Sequence, residues 1–204
     1  MLRYSRKKKM MQYKYSGNLI LTDCDGVLMN WEYAFITWMT RKGFEQINKT
    51  DYDVSKRFGM EKEESRKYVR MFNESAAIGF LPPLRDAIHY IDLLHRKYGY
   101  VFHMITSLSN DPQAQELRIA NTRKLFGETA FEKFVFLDTG EDKNEALEPY
   151  RNSGLPWIED KVENAKLGVE MGLDSVLMEH GHNMNEKLPT MKNWKEIFYA
   201  LTGE

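Results

Sequence analysis

Five short apolar runs, alternating with stretches of helical spacing, constrain this chain of 204 residues more than any other feature. They cover residues 18–23, 100–105, 134–137, 155–159 and 174–178. Runs this short suit strands buried on both faces better than buried helices. Helical stretches are expected at 83–98, 112–126 and 163–171, with a closing helix at 193–201. Their punctuation is specific: Asp111-Pro112 opens one and Gly127 stops it, Gly99 follows another and Gly172 a third. Strands alternating with helices form a parallel sheet joined by right-handed crossovers. The expected fold class is therefore α/β, a doubly wound parallel sheet.

One stretch breaks the alternation. From residue 30 to about 80 there is no strand pattern, only helical spacing, with Trp31, Phe35 and Trp38 at i, i+4 and i+7 and Tyr68 and Phe72 at i and i+4. This reads as a helical cap inserted between the first and second strands, with Leu81-Pro82-Pro83 marking the return. The organisation is then a basic N-terminal tail over 1–17, a core made of 18–29 and 82–204, and a cap over 30–81.

Composition limits what such a fold can do. With 42% hydrophobic and 29% charged residues the chain can bury a core, and disorder throughout is excluded. No run approaches the ~18 apolar residues of a membrane span, so no membrane partner is expected. The opening residues are basic but lack an apolar stretch behind them, which gives no support for a secretory leader. A single cysteine, Cys24, allows neither an internal disulfide nor a cysteine metal framework, and a cytoplasmic location is expected. Six cations and no acid lie within residues 1–14; the remainder holds 23 cations against 30 acids. An acidic body disfavours a broad nucleic-acid face, and the basic tail is most simply a solvated terminus. No feature specifies an oligomeric state.

The first strand ends in Asp23-Cys24-Asp25-Gly26. In extended chain, residues i and i+2 share a side, so the two carboxylates lie together and Cys24 faces away. Two such charges ~4 Å apart oppose each other by ~4 kcal/mol at an effective dielectric near 20, which a cation would offset. An ordinary post-strand turn would also accept this tetrapeptide. An EF-hand would not, because its sixth and twelfth positions would hold Leu28 and Ala34.

Position along the fold favours the chemical reading. Thr106 and Ser107 follow the second strand, Lys143 lies in the loop after the third, and Glu159-Asp160 close the fourth. Parallel strands open their C-terminal ends on one edge, where ligands bind. Each group has a plainer use, as a loop start, a solvated lysine, or for Asp160 a helix cap boxed with Glu163. Together, carboxylates, hydroxyls and an ammonium suit transfer of a phosphoryl group. A carboxylate nucleophile meets like charge on a phosphate dianion, and a magnesium ion, a lysine and a hydroxyl would relieve it. A second carboxylate can protonate the leaving oxygen and then activate water.

These motifs resemble those of the haloacid dehalogenase superfamily: Asp23-Cys24-Asp25-Gly26-Val27-Leu28, Thr106, Lys143 and Glu159-Asp160, with the cap between the first two. A nearer likeness is to the 5′(3′)-deoxyribonucleotidases, carried by Trp31, Leu81-Pro82-Pro83, Ile105-Thr106-Ser107, Asp142-Lys143-Asn144, His182-Asn183 and Trp194-Lys195-Glu196-Ile197. The resemblance implies a Mg²⁺-dependent phosphatase with Asp23 as nucleophile, Asp25 as general acid/base, and Thr106 and Lys143 on the phosphoryl group. It further implies metal ligation by Asp23, the Asp25 carbonyl and Asp160. Glu159 stands where the nucleotidases have a second aspartate and is assigned to the metal shell, with Asn164 as a weaker supporting group. Trp31, Phe35 and Ser107 are the candidate substrate contacts, although an aromatic stripe at helical spacing is usually a helix core. The substrate implied is a small phosphorylated molecule, a (deoxy)nucleoside monophosphate. A sugar-phosphate phosphatase or phosphomutase, a nucleic-acid end phosphatase and an inactive binding module are the alternatives. His180 and His182 share a side if extended, but with no cysteine nearby zinc is not expected.

Overall fold

A computed structural model describes residues 17–49, 51–184 and 186–204; the basic stretch at 1–14 lies outside them. Six parallel strands form one sheet: β1 (Leu19–Thr22), β2 (Val101–Ser107), β3 (Phe131–Leu137), β4 (Pro156–Glu159), β5 (Asp174–Met178) and β6 (Thr190–Met191). Their spatial order is β3-β2-β1-β4-β5-β6. β1 is thus the inner strand from which the chain winds first one way and then the other, with Leu21 beside both His103 and Trp157. Such a reversal opens a crevice at the C-terminal ends of the strands.

Alternation along each strand splits the core in two. Ile20, Met104 and Ile158 join the larger apolar cluster on one face, while Leu21, Ile105 and Trp157 join the smaller one on the other. All six are fully buried, which explains why these strands read as continuous apolar runs. Helices cover both faces, and no helix among the described residues is long and apolar enough to cross a membrane.

The elements follow the sequence punctuation closely. The helix α5 (Pro112–Phe126) has the expected bounds, because the Asp111 side chain accepts from the Ala114 N–H and Pro112 occupies the first turn. Beyond the one-turn α6 (Asn144–Leu147), the last two helices, α7 (Val162–Glu170) and α8 (Trp194–Thr202), fall within a residue of expectation at each end. α4 (Ala87–Tyr98) starts four residues later than the proline suggested. Pro83 bridges Met29 and the Leu84 N–H donates to the Leu28 carbonyl, so this segment braces the loop after β1 instead of starting a helix. β6, only two residues long, was not expected from the sequence, and β2 runs two residues further, so Thr106 and Ser107 end the strand itself.

Between β1 and β2 lie α1 (Trp31–Arg41), α2 (Val54–Phe58), α3 (Lys62–Asn73) and a 3₁₀ turn (Ala76–Phe80). Their shared centre is aromatic: Trp31 stacks on Phe35 at 4.6 Å, and Phe72 meets Trp31, Phe35 and Trp38 edge-on at 5.4–5.6 Å. The C-terminal end of α3 is tied to the sheet rim by Asn73 Nδ2 donating to the Leu108 carbonyl, by Arg70 paired with Asp138 at 3.1 Å, and by Ser109 Oγ donating to Glu74 at 2.7 Å.

At the opposite end of the sheet, Asp174 opens β5 with its Oδ2 buried and unpartnered. Burial raises its pKa to about 6. A carboxyl whose folded pKa lies above its unfolded value adds stability below the unfolded pKa and loses it as pH rises through the folded one. Asp174→Asn is therefore expected to raise the melting temperature at pH 7.5 and to leave it nearly unchanged at pH 4. An equal effect at both pH values would mean that ionisation of Asp174 is not what destabilises the strand.

Candidate active site

The loop after β1 is built around one carbonyl. Cys24 O accepts from the Leu28 and Met29 N–H groups at 2.8 and 2.9 Å, Gly26 N donates to Met29 O, and Asp23 N donates to Ile158 O on β4. The tight turn leaves Asp23 and Asp25 facing the crevice and Cys24 buried, as the i, i+2 spacing requires. Burial pushes the Cys24 thiol up to about 12, which removes it from nucleophilic chemistry. Gly26 has φ +74°, and a Cβ there would fall 2.4 Å from Asp160 Oδ2. The glycine thus permits both the left-handed turn and the close approach of the β4 loop.

Lys143 crosses from the loop after β3 and is 2% exposed, its Nζ 2.7 Å from Asp23 Oδ1 and 2.7 Å from Glu159 Oε2. Its ammonium also lies 5.1 Å from the centre of the buried Trp157 ring. Burial alone would lower its pKa, but the Asp23 and Glu159 charges outweigh it and hold the ammonium well above its ordinary value. The contact to Asp23 is close without hydrogen-bond alignment, and Oδ1 is otherwise unpartnered.

Glu159 is fully engaged: Oε1 accepts from the Asp160 and Lys161 N–H groups at 3.1 Å each, and Oε2 from Lys143. Asp160 does not cap a helix as the plainer reading had it. Lys161 occupies the cap position of α7 with no side-chain bond, and Glu159 takes the N–H groups of Asp160 and Lys161, just ahead of the helix. The backbone oxygen of Asp160 accepts from Asn183 Nδ2 at 2.8 Å and His182 Nε2 at 3.2 Å, while His180 Nε2 holds the Gly26 carbonyl at 2.6 Å. The two stacked imidazoles therefore brace the two acid-bearing loops.

One oxygen each from Asp23, Glu159 and Asp160 lies within 4.8 Å of the others. Three buried carboxylates against one ammonium leave excess negative charge. Burial first, then neighbouring carboxylates, raise the pKa of Glu159 and raise that of Asp160 well above normal. An all-oxygen donor set with surplus charge and an unaligned Asp23 oxygen fits a hard divalent cation such as magnesium.

Thr106, near the C-terminal end of β2, is 1% exposed and its hydroxyl has no partner; it is not among the residues that line the cavity. Ser107 donates to the Glu141 carbonyl at 3.2 Å. The crevice is a cavity of about 300 Å³, lined by Asp23, Asp25, Lys143, Glu159, Asp160 and Ser107 below and by Trp31, Phe35, Tyr52 and Arg57 from the helical insert. Trp31 is held by Nε1 donating to Asn73 Oδ1 at 2.9 Å. Phe35, 1% exposed, belongs chiefly to the aromatic centre. Asn164 adds a weak 3.4 Å contact to Glu159.

Three participants were not singled out from the sequence. Arg118 on α5 is fully buried and grips Asp25, Nη1 to Oδ1 at 2.7 Å and Nη2 to Oδ2 at 3.4 Å. Burial raises the pKa of Asp25, with Arg118 opposing and Asp23 reinforcing the shift. The available signal was its helical phase: Ala114, Arg118, Asn121, Thr122 and Phe126 form the inward face. Arg57, paired with Glu32 at 2.5 Å, and Tyr52, whose ring lies 4.1 Å from that of His182, complete the wall.

A sheet of this order, with acids at the ends of its two inner strands and helices inserted after the first, defines the fold of the haloacid dehalogenase-like hydrolases. Among solved structures that share it are a putative HAD-hydrolase, YfnB of Bacillus subtilis, described as bound to magnesium (16% identity, TM-score 0.58, 91% of this chain and 99% of that one), and SP0104 of Streptococcus pneumoniae, a haloacid dehalogenase-like hydrolase (15%, 0.60, 91% and 99%). CbbY of Rhodobacter sphaeroides, described in complex with phosphate, aligns at 16% identity with TM-score 0.57 over 88% of this chain and 96% of that one. At these identities the likeness is one of fold. No protein-family model and no curated protein sequence matches the chain.

Proposed function

We propose that this chain is a magnesium-dependent phosphomonoester hydrolase that works through an aspartyl-phosphate, and that its substrates are (deoxy)nucleoside monophosphates. The observation that carries the reading is the placement of Lys143 between Asp23 and Glu159, within a trio of buried carboxylates. An Asp23 oxygen attacks phosphorus as the ester P–O bond breaks. The departing oxygen keeps the bonding pair and takes a proton from Asp25. Water then attacks the phosphorus, gives its proton to Asp25 and displaces the Asp23 carboxylate, releasing inorganic phosphate. Thr106 and Lys143 donate to the phosphoryl oxygens, and Glu159 keeps Lys143 charged and in place. Asp23, the Asp25 carbonyl and Asp160 would hold magnesium, which when bound would supply positive charge against the phosphoryl oxygens.

A cavity of about 300 Å³ with Trp31 on its wall suits a small aromatic-bearing ester better than the end of a polynucleotide. The lone cysteine, buried and unpaired, fits a reducing cytoplasm. Phosphate release should be measured over ribo- and deoxynucleoside monophosphates and sugar phosphates, with magnesium and with chelator. The expected result is release from nucleoside monophosphates that falls at least ~100-fold with chelator. Preference for sugar phosphates would move the substrate class, an isomerised product would indicate a mutase, and no release from any ester would leave a binding module.

A further inference from the structure

We infer that Arg118 is the positioning residue for the Asp25 carboxyl, fixing which of its oxygens exchanges the proton with the leaving group; this rests on the hydrolase reading above. Arg118 is 0% exposed and reaches the loop after β1 from α5, behind the crevice, whereas Asp25 lines the crevice itself. Its fork meets both carboxyl oxygens unequally, 2.7 Å to Oδ1 and 3.4 Å to Oδ2. A two-point grip fixes the plane of a carboxyl group in a way that a single ammonium does not. The short bond occupies Oδ1 and leaves Oδ2 as the oxygen that carries the proton.

The surroundings favour a functional reason for the pair. A fully buried guanidinium is costly to desolvate, and apolar side chains of similar volume often serve stability as well or better. Here Nε also remains without a partner, so the site does not fully satisfy the group it buries. The adjacent inward residues are committed elsewhere, Asn121 to the Leu81 carbonyl and Thr122 to the Arg118 carbonyl. Arg118 alone among them reaches an acid of the site.

Leaving-group dependence tests this. An alkyl phosphate needs its departing oxygen protonated, whereas p-nitrophenyl phosphate releases a stable phenolate and does not. We expect Arg118→Lys, which keeps the charge but loses the fork, to lower kcat/KM for a nucleoside monophosphate at least tenfold more than for p-nitrophenyl phosphate. KM should change little, and Arg118→Gln should show the same skew. The ratio of the two activities in one preparation does not depend on how much of the variant has folded. Equal losses on both esters, or no loss, with an active wild type would overturn the assignment of Arg118 alone. A wild type that releases phosphate from neither ester with magnesium would overturn the hydrolase reading and this assignment with it.

Discussion

Asp23→Asn is expected to reduce phosphate release by about 10⁴-fold or more while the protein stays folded, because on the proposed mechanism the substitution removes the nucleophilic carboxylate and almost no volume. Asp23 is 6% exposed and its charge adds to the burial that raises the pKa of Glu159 and Asp160, so neutralising it relieves repulsion with both. It also removes one partner of Lys143, but Glu159 remains at 2.7 Å. The melting temperature should therefore stay within a few degrees of wild type. Hydrolysis retained at more than a hundredth of the original rate would take the nucleophilic role away from Asp23.

Lys143→Met should damage both stability and turnover. Methionine nearly fills the slot beside Trp157 but leaves Asp23 and Glu159 buried without their shared cation. Breaking a buried pair in this way costs about 3–5 kcal/mol, and losing a donor to the phosphoryl group costs about 10²–10³-fold in rate. The stability loss has a defined pH sign. Burial and the Asp23 charge already raise the pKa of Glu159, and without the ammonium it rises further. A raised carboxyl stabilises the fold below its unfolded pKa and loses that contribution as pH passes its folded one. The gap in melting temperature between variant and wild type should then widen from pH 5 to pH 8. A constant gap would mean that charge at this position is not what matters.

The sheet was legible because its signals are local. Strands buried on both faces read as apolar runs, and Asp111-Pro112 with Gly127 marked α5 to the residue. Errors arose where distant chain decides the outcome. Nothing near Leu84 in sequence says that its N–H will be claimed by Leu28, which delays α4, and a strand of two residues such as β6 carries no period. The acids and Lys143 could be grouped from the sequence because they follow or close strands, and a parallel topology gathers those ends and the loops beyond them on one edge. Arg118 could not, because a charge on an inward helical face looks like a phasing error until its partner, 93 positions away, is known. Trp31 and Phe35 show the opposite ambiguity: one stripe supplies both the centre of the insert and part of the cavity wall.

The helical insert also has a narrow neck. Asn30 N donates to Pro82 O at 2.9 Å and Met29 bridges Pro83, so the chain leaves the sheet and returns to it through two adjacent segments. The spacing between Asp23 and the other strand ends is set below that neck, by β1, β2 and β4. A foreign insert of different length, grafted at residues 30 and 82, can therefore replace the upper wall of the cavity while the acids and Lys143 keep their geometry, which makes the junction a natural point for recombination.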